Sequence, residues 1–74
     1  MSVKYPEAVI DIYSIDGNAF SIMGATTKAL SRIGVSKEER DAYFAEATSG
    51  DYDHLLATTM KWVSISDDEE GEDY

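Results

Sequence analysis

Seventy-four residues with 15 acids, 6 bases, one histidine and no cysteine give a formal charge of −9 and a pI near 4.2. So short a chain forms one domain at most and buries only about 60% of its unfolded surface. The composition excludes a disulfide framework, a thiolate zinc site and a histidine metal cluster.

No apolar run approaches the roughly 18 residues that span a bilayer. The opening stretch MSVKYPEAVIDIY lacks the basic-then-apolar order of a signal peptide, so the chain is read as cytoplasmic, with no membrane partner. Six of the acids (Asp67, Asp68, Glu69, Glu70, Glu72 and Asp73) lie in the last eight residues, leaving −3 for residues 1–66. An acidic block of this kind repels itself and is expected to stay disordered. A negative protein is steered away from nucleic acids and anionic membranes and towards basic surfaces.

Residues 1–8 read as an N-terminal arm, because Pro6 discourages a helix across them. Residues 9–15, VIDIYSI, are β-branched and aromatic, with Ile10 and Ile12 on one side and Val9, Tyr13 and Ile15 on the other. That predicts a strand, ended by Asp16-Gly17. Asn18 is then a good N-cap for a first helix. Its apolar positions Ala19, Ile22, Met23, Leu30 and Ile33, bridged by Thr26 and Thr27, recur at three- and four-residue steps, with Phe20 at the edge of the stripe. Gly34 fits the C′ position that ends it. Gly24, unfavourable inside a helix, is expected at a close helix contact.

The segment VSKEE places Glu39 three residues after Ser36, a capping box, with Val35 at the staple position. The second helix runs through Ala42, Tyr43, Phe44 and Ala47 to Ser49-Gly50. Asp51 caps a third, DYDHLLATTMKW, with Tyr52, Leu55, Leu56, Thr59 and Met60 as its stripe. Residues 62–66, WVSIS, alternate and predict a second short strand. The expected fold is a small, mostly helical α+β domain of β-α-α-α-β order over residues 9–66, followed by a disordered acidic tail, 67–74. Two short strands leave exposed edges, which permit a homodimer or recognition by strand addition.

Four groups of residues bear on function. Asp16-Gly17-Asn18 has neither the paired glycines and lysine of a phosphate loop nor the alternating acids of a calcium loop, and reads as turn plus cap. Asp51 and His54, three apart, could share a metal or form an acid–base couple, but no further ligand or nucleophile accompanies them. Among the aromatics, Phe20, Phe44 and Trp62 are assigned to the core, and Tyr13, Tyr43 and Tyr52 to the core rim or a contact surface. Lys28, Arg32, Lys37 and Arg40 form a short basic edge, read as a solvated face.

The acids could imitate a phosphate backbone, with Glu38, Asp41, Glu46, Asp51 and Asp53 supplementing the tail. The sequence therefore predicts no catalytic residue, no metal and no cofactor. It predicts a non-enzymatic protein-binding module whose contact residues are Tyr13, Tyr43, Tyr52, Asp51, Asp53, Asp67, Asp68, Glu69 and Glu70. The alternative is an acidic DNA mimic that inhibits a nucleic-acid-binding protein. A third, a small enzyme or metal protein, would centre on Asp51 and His54.

The segments IDGNAFSIMG, ALSRIGVSKEE and EATSGDYDHLLATTMKWV resemble a group of small acidic proteins of phages and other mobile elements, over roughly residues 15–63. The group has no established activity and so brings no site residues. The resemblance implies a context, in which such proteins bind a host protein and inhibit or redirect it.

Overall fold

The computed structural model describes residues 3–11 and 15–66. Strand β1 (Tyr5–Asp11) is followed by helices α1 (Ala19–Arg32), α2 (Lys37–Ala47) and α3 (Tyr52–Trp62), and strand β2 (Val63–Ser66) closes the chain order. The β-α-α-α-β architecture follows the sequence pattern. The two strands pair in parallel, with Tyr5 opposite Val63 and Val9, Ile10 and Asp11 opposite Ser64, Ile65 and Ser66. Parallel pairing needs a long crossover, usually helical, and here the three helices supply it.

The first strand begins at Tyr5, inside the stretch read as an arm. Pro6 has no N–H to give to a ladder, which argues against regular pairing at that point. The structure accommodates it with a register shift: residues 6–8 fall between the Tyr5 and Val9 pairings. The Ser64 hydroxyl donates to the Pro6 carbonyl at 2.9 Å, and the Lys4 amide donates to the Lys61 carbonyl at 2.8 Å. The expected continuation of the strand over residues 12–14 lies outside the described residues.

Each helix is bounded by the chemistry its sequence supplies. The side chains of Asn18, Ser36 and Asp51 accept from the backbone N–H groups of Ser21, Glu39 and His54 at 2.8, 3.2 and 2.9 Å, satisfying donors that a helix start leaves orphaned. The carboxylate of Glu39 turns to Lys4, 3.5 Å away, so only the serine half of the capping box forms. Helix α1 ends in a Schellman motif. Gly34 takes φ = +89°, and the amides of Gly34 and Val35 donate to the carbonyls of Ser31 and Leu30.

The core joins Ala8 and Ile10 of β1, Ile22, Met23, Ala29 and Leu30 of α1, Tyr43 and Ala47 of α2, Leu55 and Trp62 of α3, and Val63 of β2. Trp62 is its centre, edge-on to Tyr43 at 5.6 Å and tilted against Tyr5 at 5.9 Å between ring centroids. The Lys4 ammonium sits 4.3 Å from the Trp62 ring, a favourable cation–π position. Trp62 is the last residue of α3 rather than the first of the strand. Tyr43 is fully buried, and its hydroxyl pairs with the Thr59 hydroxyl at 2.7 Å. It is a core residue and presents no contact surface.

Phe20 and Phe44, assigned to the core, are 80% and 44% exposed. Ile33 and Met60, placed on apolar stripes, are also exposed. Ala29 and Thr58, outside the expected stripes, are buried, and so is Thr26, which bridges the first. Thr26 tolerates burial because its hydroxyl donates to the Ile22 carbonyl at 2.8 Å.

Candidate functional site

Three helix ends meet around one apolar groove of about 310 Å³. Ala19, Phe20 and Met23 come from the first turns of α1, Ala47 and Thr48 from the end of α2, and Gly50, Asp51, Tyr52 and Leu55 from the start of α3. The caps place these residues. Asn18 and Asp51 start α1 and α3 at the groove, and the chain leaves α2 through Thr48, whose hydroxyl donates to the Phe44 carbonyl at 2.8 Å.

Tyr52 ties the groove together. Its ring stays half exposed, while its hydroxyl donates to the carbonyl of Gly17. In the stretch Asp16-Gly17-Asn18 the chain bends and Asn18 caps α1, as its residue type implied, and Gly17 also anchors a tyrosine from α3. Phe20 stands beside the groove largely in solvent. It lies about 120° around α1 from the centre of the buried stripe, at 3.6 residues per turn. That offset was available in the sequence; the assumption that a phenylalanine goes inside hid it.

The Asp51 carboxylate and the His54 imidazole make their hydrogen bonds to other groups, not to each other. The Asp51 carboxylate is occupied by the His54 backbone amide. The His54 Nε2 lies 2.9 Å from the Glu46 carbonyl and 3.1 Å from the Ser49 hydroxyl. A carbonyl only accepts, so Nε2 carries the proton and cannot act as a base towards Ser49. The Ser49 hydroxyl itself donates to the same Glu46 carbonyl at 2.7 Å. His54 and Ser49 together satisfy the C-terminal end of α2, where helix carbonyls lack intrahelical partners. Among the described residues no group of three or more His, Cys, Asp or Glu side chains could hold a metal ion.

The acids on the folded surface are spread over separate tasks. Asp41 pairs with Lys37 at 2.9 Å, Glu46 with Lys61 at 3.6 Å and Glu39 with Lys4. Glu46 also accepts from the Trp62 indole at 3.4 Å. Glu38 and Asp53 are exposed in the first turns of α2 and α3. Of the residues expected to meet a partner, Tyr52 and Asp51 line the groove, Asp53 follows in the same turn, and Tyr43 is buried. Tyr13, Asp67, Asp68, Glu69 and Glu70 lie outside the described residues. No described helix is long and apolar enough to cross a membrane.

Comparison with known proteins adds no relative: no family model, no curated protein and no solved structure matches this chain.

Proposed function

We propose that this protein is a non-enzymatic binding module that engages another protein through the groove at the three helix ends. The observation that carries the reading is Phe20, 80% exposed beside an apolar groove flanked by the half-exposed ring of Tyr52. Aromatic side chains presented next to a pocket are the usual anchors of protein interfaces. Asp51 at the rim and Asp53 in the same first turn of α3, on a chain of net charge −9, fit a partner that inserts an apolar side chain flanked by lysine or arginine. The resemblance to phage-borne proteins supports a host protein as that partner, bound and modulated.

The test is capture from a cell lysate with the intact chain and with Phe20→Ser, at low and high salt. So exposed a position should change stability by less than about 0.5 kcal/mol, so the variant keeps its fold. A protein retained at high salt by the parent and released by Phe20→Ser supports the groove. Equal retention by both chains, or no captured protein, refutes it. Retention that vanishes with salt, whatever stands at position 20, supports the acidic-mimic reading instead, since charge-driven association fades as the Debye length shrinks.

A further inference from the structure

The helix-end groove joins an apolar floor to an acidic rim. We propose that its partner presents two side chains, two residues apart on an extended segment. One is apolar and sits on Met23, Ala47 and Leu55; the other is an arginine that lies on the Tyr52 ring and reaches the Asp51 carboxylate. The inference rests on the binding reading above and adds to it which base is recognised, by which groups and at what spacing.

Charge is the first observation. Among the described residues, Lys4, Lys37 and Lys61 pair with Glu39, Asp41 and Glu46. Asp51 and Asp53 enter no ion pair, and both are exposed. The His54 amide engages one oxygen of Asp51, Oδ1, and leaves Oδ2 for a ligand. No lysine or arginine lines the groove. The starts of α1 and α3 oppose a cation there with about half a charge each, and the end of α2 favours it by as much. Two full carboxylates outweigh that balance, so the rim is negative.

The rings are the second. The hydroxyl of Tyr52 is spent on the Gly17 carbonyl, which fixes the ring while leaving it half exposed. A cation gains from lying over such a face. Arginine suits it better than lysine, because the guanidinium is planar, stacks on aromatic rings and is less strongly hydrated than an ammonium. Phe20 stands at the α1 side of the same groove and shields the apolar anchor from water.

Spacing is the third. Asp51 and Leu55 are four residues apart at the start of α3, about 6 Å along its axis. Side chains two residues apart on an extended segment leave the same face about 6.6 Å apart. An anchor over Leu55 therefore brings the second side chain to Asp51.

The probe is the capped peptide acetyl-Ala-Leu-Ala-Arg-Ala-amide, titrated into the intact chain while backbone amide shifts are followed. Three companions carry lysine or citrulline in place of the arginine, or serine in place of the leucine. Citrulline keeps the shape of arginine without its charge. The shifts should centre on Phe20, Met23, Thr48 and Tyr52. The citrulline peptide should bind at least about threefold more weakly than the arginine one, in line with a partly exposed ion pair. The lysine peptide should fall between them, and the serine peptide should produce no shifts at the groove. Asp51→Asn should weaken the arginine peptide to the level of citrulline; asparagine caps a helix as well as aspartate, and the peptide series stands by itself if the variant fails to fold. Shifts that do not centre on the groove, citrulline binding as tightly as arginine, or lysine binding at least as tightly as arginine overturns the proposal. So do the same shifts appearing without peptide as the protein is concentrated, which would assign the groove to a second copy. A protein captured by the parent and released by Phe20→Ser, with every peptide failing, keeps the binding module and removes the arginine; failure of both removes the groove.

Discussion

Gly50 is required by a neighbour rather than by its own backbone. A Cβ placed there would stand 2.8 Å from both Cβ and Cγ of His54. The imidazole cannot retreat easily, because Nε2 is held by the Glu46 carbonyl. Gly50→Ala should therefore cost about 1–3 kcal/mol, the range for overpacking, read as a fall in the urea midpoint. An unchanged midpoint would show that the histidine moves freely.

The buried hydroxyl pair of Tyr43 and Thr59 makes a second prediction at the same scale. Tyr43→Phe leaves the Thr59 hydroxyl without its partner in the core and should cost about 1–2 kcal/mol. A double-mutant cycle with Thr59→Val should lose less than the two single changes together, with a coupling of about 1 kcal/mol. Strict additivity would mean that the 2.7 Å contact contributes nothing to stability.

The helices follow two kinds of rule with different success. Their ends are local chemistry, and Asn18, Ser36, Asp51 and Gly34 act where their side chains and conformational freedom place them. Their buried faces depend on neighbours, and here the pattern misleads. Gly24 makes no close helix contact: nothing lies within 4 Å of the Cβ it lacks. Gly24→Ala should accordingly stabilise α1, by about 0.5–1 kcal/mol, because alanine loses less backbone freedom. Thermal and urea unfolding would show it directly, and a loss of stability would reveal a contact at that face. Helix α2 buries only Tyr43 and Ala47; Phe44, one residue on, points about 100° away and emerges.

At the scale of the molecule, one residue links β1, α2 and α3. Trp62 ends α3, touches Tyr5 of β1 and Tyr43 of α2, supports the Lys4 ammonium and meets Glu46. Replacing a buried tryptophan by alanine costs about 3–5 kcal/mol, and a single core in a chain this small rarely supplies more than that. Trp62→Ala should therefore leave the chain largely unfolded at room temperature, visible as lost helical circular dichroism. A cooperative melt close to the parent's would show stability residing elsewhere.

The order of elements and the helix caps were determined by the sequence itself, because a cap hydrogen bond or a positive φ involves residues within a few positions of each other. The start of β1 was not, since Pro6 is admitted only by a register shift against β2, nearly 60 residues away. Nor was the groove. Phe20, Ala47 and Tyr52 belong to three helices, and the Tyr52 hydroxyl reaches Gly17 across 35 positions. The same holds for Asp11, which parallel pairing sets opposite Ser66 and the packing of α1 against β1 sets in one groove with Lys28 and Arg32. Local chemistry sets where elements begin and end; which faces remain open is decided only when distant surfaces compete for burial.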